Sequence, residues 1–168
     1  MVARLATRAF RPRGRPRRYT RRLQRHPSLI PLSHQHHNGL ALCVMAFRGL
    51  ETSGDEASVR HWCGRAAERF DIELVNHFEL EEQLVFPLLP GEMAARLAAE
   101  HRELERLAAT LRREPARAPL EAFLTLLRAH IRLEENEFFQ LVQSTASPDQ
   151  LEAIGPEISR RAVRVALT

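Results

Sequence analysis

The chain has 168 residues, 44% of them hydrophobic and 27% charged, which is ordinary for one globular domain with a single core. No apolar run is long enough to cross a bilayer and the two cysteines form no CxxC pair, so composition favours neither a membrane protein nor a disulfide scaffold. The net charge of +4 has two unequal sources, because residues 1–50 carry 11 Arg and no acid, whereas the remaining residues carry 14 Arg and 21 acids.

The first 28 residues are rich in arginine and proline and lack apolar periodicity, which predicts a disordered tail over residues 1–28. Within it, Arg13-Gly14-Arg15-Pro16 resembles an AT-hook, whose arginines follow a narrow A·T minor groove of a nucleic-acid partner. The other interpretations are a solvated arm, residues added by an upstream start codon, and a transit segment, for which apolar periodicity is lacking. No hydrophobic signal-peptide core follows the arginines, so we expect a cytoplasmic protein without a membrane partner.

Residues 29–168 are predicted to form one all-α domain, because no segment has the pattern of a strand. Four stretches have helical periodicity between capping and breaking residues, at about 33–50, 55–86, 92–113 and 120–142. Four long helices with short connections predict an up-down antiparallel four-helix bundle. A short C-terminal helix should begin at Ser147-Pro148 and be interrupted at Gly155-Pro156.

A twelve-residue pattern occurs twice, as HFELEEQLVFPL at residues 77–88 and as HIRLEENEFFQL at residues 130–141. In each copy a His precedes a Glu by four residues, which places both side chains on one face of a helix. The two pairs are His77 with Glu81 and His130 with Glu134. Both pairs fall within apolar stripes that should face the bundle interior, as does His101 on the third helix.

Such a buried layer of imidazoles and carboxylates indicates a metal site. An uncompensated buried carboxylate costs several kcal/mol, whereas a cation offsets that charge and also binds imidazole. A mixed imidazole and carboxylate set suits iron or manganese. The alternative is a group of salt-bridged polar residues in the core. The first helix should contribute a further ligand from His34, His36 and His37, and periodicity alone does not choose between His36 and His37.

The ordered motifs H-H-x-x-L, H-F-x-x-E-E-x-x-x-F-P-L, E-H-R-x-L and H-x-x-x-E-E resemble the hemerythrin-like HHE family over about residues 30–142. The resemblance implies a four-helix bundle that encloses two iron ions, with an oxo or hydroxo bridge and with Glu81 and Glu134 as bridging carboxylates. The family's H-x-x-L pattern favours His37 over His36. The implied ligands are His37, His77, Glu81, His101, His130 and Glu134.

Glu105 stands where oxygen-carrying members of the family have a second histidine, one turn after His101. We include it as a candidate metal ligand; the alternative is an exposed glutamate beside Arg102 and Arg106. A donor count leaves one or two open positions for O2, NO or peroxide. We therefore expect a protein that binds or senses O2 or a related small oxidant. The alternatives are a di-iron redox enzyme (an NO or peroxide reductase or an Fe(II) oxidase) and a DNA-tethered redox regulator.

Overall fold

The computed structural model describes residues 24–165, and every regular element in that part of the chain is helical. The prediction of an all-α protein is therefore confirmed. Within the same residues, we find no helix with the length and apolar character needed to cross a membrane. The AT-hook-like segment and most of the predicted tail lie outside the described residues.

Five helical stretches follow one another along the chain. The first is α1 (Ile30–Thr52), which follows a 3-10 turn at Pro27–Leu29. The second stretch is continuous but not uniform, and it consists of α2 (Glu56–Arg69), a π turn (Phe70–Leu74), α3 (Val75–Leu80), another π turn (Glu81–Val85) and a 3-10 turn (Phe86–Leu88). The third is α4 (Glu92–Arg113). The fourth consists of α5 (Arg117–Leu133), a π turn (Glu134–Phe138) and α6 (Phe139–Thr145), and the fifth is α7 (Pro148–Arg161).

Local capping explains where two of these helices begin. The Asp55 carboxylate accepts a hydrogen bond from the backbone N–H of Ser58 at 2.8 Å and caps α2. Ser147 and Gln150 form a reciprocal capping box at the start of α7. The first helix begins three residues before the predicted Ser33, because Pro31 fits the first helical turn.

The predicted interruption at Gly155-Pro156 is wrong, since α7 continues through both residues to Arg161. Pro156 cannot donate a backbone hydrogen bond, but Leu151 and Ile158 are buried on the same helix, and their burial offsets that loss. Gly155 has a packing role: a Cβ there would lie 2.5 Å from Ser28 Oγ. The close approach of Ser28 therefore requires a residue without a side chain.

The core consists of two apolar clusters. One contains residues from α1, α2, α4 and α5, among them Leu42, Cys63, Leu104 and Phe123. The other contains the opposite ends of the long stretches and one face of α7, among them Leu32, Val85, Leu97, Phe138 and Leu151. Successive long stretches run between the two clusters in alternating directions. Where one cluster gives way to the other, each stretch carries a buried histidine.

The π turns change which residues face the core. The 3.6-residue spacing predicts that Leu84 and Leu141 are buried, but Leu141 is 43% exposed and Leu84 is only partly buried. The next residues, Val85 and Val142, are buried instead. A π turn bonds residue i to residue i+5, so the buried face moves by one position across the turns that begin at Glu81 and Glu134.

The chain packs against the domain before the predicted tail boundary at residue 28. The Arg25 guanidinium pairs with Glu135 and lies 4.7 Å from the centre of the Phe139 ring. The backbone N–H of His26 donates to Gln143 at 2.6 Å, and Ser28 is buried. Within the described residues, contacts with the helices therefore begin at Arg25 rather than after residue 28.

Candidate metal centre

Between the two apolar clusters lies a layer of six buried polar residues, none of which is more than 3% exposed. One histidine comes from α1 and one from α4, whereas each of the other two long stretches supplies a histidine and a glutamate. The six residues are His36, His77, Glu81, His101, His130 and Glu134. In each repeat the histidine lies in an α-helix and the glutamate begins the following π turn.

The layer contains two groups of four donor atoms, and within each group all donors lie within 4.8 Å of one another. Both groups include Glu81 and Glu134. The group with His36 and His77 is called here the α1 half-site. The group with His101 and His130 is called the α4 half-site.

Each glutamate directs one oxygen to each half-site. Glu81 Oε1 lies 3.3 Å from His77 Nε2, and its Oε2 lies 3.5 Å from His101 Nε2. Glu134 Oε2 lies 3.0 Å from His36 Nε2, and its Oε1 lies 3.3 Å from His130 Nε2. This is the arrangement that two carboxylates need in order to bridge two cations.

The carboxylate oxygens provide the test of whether a cation fits. All four oxygens of Glu81 and Glu134 are buried, and none has a hydrogen-bond partner within residues 24–165. Unsatisfied buried carboxylates are strongly destabilising unless positive charge lies beside them. Metal ions in the two half-sites would satisfy these oxygens and the four Nε2 atoms together, so the residues fit a metal pair.

Each imidazole is oriented by a hydrogen bond from its other nitrogen. The Nδ1 atoms of His36, His101 and His130 donate to carboxylates, and that of His77 donates to an amide oxygen. The acceptors are Glu135 for His36 at 2.7 Å, Glu82 for His101 at 2.7 Å, Glu100 for His130 at 3.0 Å and Gln35 for His77 at 3.0 Å. Such partners fix the tautomer and direct Nε2 towards the metal.

The acceptors extend the sequence repeat into an approximate two-fold pattern. Glu82 follows Glu81 and holds the imidazole of His101; Glu135 follows Glu134 and holds that of His36. The other two acceptors precede a histidine in the sequence: Gln35 precedes His36, and Glu100 precedes His101. The two halves of this pattern differ in charge at one pair of equivalent positions. One half has the neutral amide of Gln35, and the other has the carboxylate of Glu100.

Aromatic rings follow the same pattern. The Phe86 ring stacks on His101 with 5.5 Å between ring centres, and Phe139 stacks on His36 at 5.4 Å. These phenylalanines occupy equivalent positions in the two repeats. Phe78 also stacks on His101 at 3.8 Å. The rings exclude water from the imidazoles and limit their rotation.

The protonation of the layer favours ligand formation at Glu81 and His77. Burial lowers the pKa of His77. Burial would raise the pKa of Glu81, but the imidazoles of His77 and His101 outweigh it and hold that pKa well below its usual value. Burial would likewise lower the pKa of His36, but the carboxylates of Glu134 and Glu135 raise it to about 10. A metal ion therefore competes with a proton at His36.

Two predicted ligands lie outside the layer. His37 is exposed and lines a cavity of about 490 Å³ between α1 and residues 162–165, whereas its neighbour His36 joins the α1 half-site. The structure therefore brings His36, and not His37, into a donor group. Glu105 is exposed at the edge of a cavity of about 310 Å³ that reaches His101 from outside, and it belongs to neither donor group.

The other five predicted residues lie in the donor groups, and sequence reasoning did not identify Gln35 and Glu100 as outer acceptors. A signal was present in the dipeptides Gln35-His36 and Glu100-His101, which occupy equivalent places in the two halves. The same comparison would have selected His36 rather than His37.

Comparison with known proteins agrees with this geometry. The chain is 35% identical over 98 residues to uncharacterized proteins of Mycobacterium bovis and of two Mycobacterium tuberculosis strains. Each match covers 54% of this chain and 61% of the relative, so the chain spans less than two thirds of their length. No solved structure matches it significantly. The family model for the hemerythrin HHE cation-binding domain matches residues 29–142, more than half of the chain. The chain therefore belongs to the hemerythrin HHE cation-binding domain family.

Proposed function

We propose that this protein holds two iron ions, bridged by Glu81 and Glu134, inside an up-down antiparallel four-helix bundle, and that it binds or senses O2 or a related small oxidant. The alternating direction of the long stretches between the two apolar clusters supports the bundle. Two half-sites that share both carboxylates support a two-ion centre. Imidazole and carboxylate donors support iron.

The single observation that carries this proposal is the unsatisfied state of four buried carboxylate oxygens, each directed towards an Nε2 atom. Salt-bridged core residues would satisfy one another by hydrogen bonds. Here the Nδ1 atoms point at outer acceptors, and the Nε2 atoms face each other in pairs, His36 with His77 at 2.8 Å and His101 with His130 at 3.2 Å. Both members of such a pair cannot carry a proton on Nε2, so each pair presents a free Nε2 to a metal.

The donor set leaves room for a small ligand. Each half-site offers two imidazole nitrogens and two carboxylate oxygens, which is four of about six positions around an octahedral ion. A shared hydroxide would fill one more position on each ion. Iron supplies the redox chemistry and the open position, and the protein supplies the apolar walls and the oriented imidazoles.

The experiment that tests the proposal is the optical spectrum of anaerobic, Fe(II)-loaded protein while O2 is added and then removed. A stoichiometry of two irons and a charge-transfer band that responds to O2 are expected. A band that disappears with O2 supports reversible binding or sensing. A band that persists favours a redox enzyme, for which turnover of NO, peroxide or Fe(II) with an electron donor is the next assay. Protein that binds no iron would refute the proposal.

The cysteines are consistent with a reducing compartment. Cys43 and Cys63 are both free and buried in the first apolar cluster. Free buried thiols are common in cytoplasmic proteins. We therefore place the protein in the cytoplasm as part of this proposal, where measurement of its location in cells can test it.

A further inference from the structure

The two half-sites are nearly equivalent by position but unequal in the charge of their outer acceptors. In the α4 half-site both imidazoles donate to carboxylates, Glu82 and Glu100. In the α1 half-site one imidazole donates to the carboxylate of Glu135 and the other to the neutral amide of Gln35. At one pair of equivalent positions, the α1 half-site therefore has a neutral acceptor where the α4 half-site has a charged one.

The orientation of the Gln35 amide is fixed by the chain around it. Its Nε2 donates to the backbone carbonyl of Val163 at 3.1 Å and to Asn76 Oδ1 at 3.2 Å. A carbonyl only accepts hydrogen bonds, so the amide oxygen must face His77. Gln35 is therefore an uncharged acceptor for this imidazole.

Nearby arginines increase the difference between the half-sites. Arg25 pairs with Glu135, and its side chain is only 14% exposed, so it offsets much of the acceptor charge in the α1 half-site. In the α4 half-site the acceptor Glu100 pairs with Arg96, and Arg96 is 64% exposed. Solvent screens an exposed arginine, so it offsets less.

A carboxylate acceptor makes an imidazole a stronger donor to a metal than an amide does, because negative charge behind the ring favours electron donation from Nε2. We propose that the two half-sites hold metal unequally, that the α4 half-site fills first and binds more tightly, and that Gln35 is the positioning residue that weakens the α1 half-site. This inference rests on the proposed two-ion centre.

The test uses full-length protein and Mn²⁺, which accepts the same donors as iron. Crystals of protein with one equivalent of Mn²⁺ are measured by anomalous diffraction, which gives the occupancy of each half-site. We expect the α4 half-site to be favoured by about tenfold or more, since loss of an outer partner typically costs 10–100-fold in affinity. Equal occupancy, or preference for the α1 half-site, would overturn the inference.

Three variants assign the cause. Glu100→Gln should abolish most of the preference, and exchange of the two residues in the double variant Gln35→Glu/Glu100→Gln should reverse it. Glu103→Gln is the control, because Glu103 lies on the same helix but pairs with Arg106 on the surface. An unchanged preference in Glu100→Gln would refute the assigned cause. The Gln35→Glu change removes the hydrogen bond to the Val163 carbonyl. If the double variant does not fold for that reason, Glu100→Gln alone still tests the cause.

A separate measurement distinguishes this inference from the proposed function. With excess Mn²⁺ the wild-type protein should contain an ion in both half-sites. If only one half-site ever fills, the two-ion centre itself is wrong. If both fill but without the expected order, the centre stands and the inequality is wrong.

Discussion

At the scale of single residues, Glu81 is a metal ligand candidate whose charge is stabilised by the neighbouring imidazoles of His77 and His101. Its two buried oxygens lack hydrogen bonds within the described chain. We expect metal-free Glu81→Gln to be less stable than the metal-free native protein at neutral pH, because the lowered pKa of Glu81 beside His77 and His101 means that folding favours its charged form. Metal should stabilise the native protein by roughly 2.7 kcal/mol per ion at a hundredfold excess over Kd, and the variant much less. Thermal unfolding with and without Mn²⁺ measures both; an equal gain in the variant would contradict the bridging role.

His36 and His37 are adjacent in the sequence, but only His36 lies in the buried polar layer. His36→Ala should lose most of the metal in the α1 half-site, since its Nε2 lies 3.0 Å from the Glu134 carboxylate. His37→Ala should keep full metal content, because its side chain is exposed outside the layer. Metal content by elemental analysis decides between them, and loss of metal in His37→Ala would restore the original assignment.

These two histidines also show what the sequence could and could not predict at this scale. The pairs His77–Glu81 and His130–Glu134 were predictable, because residues four apart on a helix always lie on the same face. Consecutive residues differ by about 100° around a helix, and both His36 and His37 have apolar neighbours at helical spacing. The direction of α1 relative to the layer decides between them, and it depends on packing that no local pattern specifies.

At the scale of elements, the π turns are the feature that periodicity missed. Both glutamates shared by the two donor groups begin a π turn, at Glu81–Val85 and Glu134–Phe138. A helical stripe predicted with 3.6 residues per turn is therefore correct up to each glutamate and displaced after it. This displacement explains why Val85 and Val142 are buried, whereas Leu141 is exposed.

The C-terminal helix α7 offers two neighbouring substitutions with opposite expected effects. Gly155→Ala should destabilise the protein, because the new methyl group would lie 2.5 Å from Ser28 Oγ. Pro156→Ala should stabilise it by about 1–2 kcal/mol, because alanine restores a helical N–H and removes a ring that disfavours helix interiors. Denaturant unfolding of both variants checks the signs; a loss of stability in Pro156→Ala would show that the ring makes a packing contribution.

At the scale of the whole molecule, the position of Arg25 makes two N-terminal truncations informative. Removal of residues 1–23 should leave metal content and thermal stability nearly unchanged, because the contacts of Arg25 with Glu135 and Phe139 remain. Removal of residues 1–28 should lower both, since those contacts and the buried Ser28 are lost. Equal behaviour of the two truncations would show that residues 24–28 contribute nothing.

The same pair of proteins tests the predicted nucleic-acid partner. Residues 1–23 contain most of the N-terminal arginines and the AT-hook-like segment. If the tail binds DNA, the protein without residues 1–23 should lose retention on an A·T-rich duplex while it keeps its metal. Retention by the truncated protein would place the DNA contact elsewhere or exclude it.

The number and order of the long helical stretches were predictable because capping and breaking residues separate them clearly. The docking of α7 on the Pro27–Leu29 turn was not, because it joins segments far apart in the sequence. The contacts of Arg25 with the helices were not predictable for a related reason. Arg25 looks like one more residue of a basic run until its partners Glu135 and Phe139 are known.

The contact of Val163 with Gln35 has a consequence for the order in which the site is completed during synthesis. The ribosome makes the chain from its N-terminus, so residues that meet in the fold are produced at different times. The α4 half-site and its outer acceptors are all present once Glu134 has been made. The α1 half-site also needs Glu135, and Gln35 lacks the carbonyl that fixes its amide until Val163 follows. In a nascent chain, therefore, the half-site that begins nearest the N-terminus is the last to be finished.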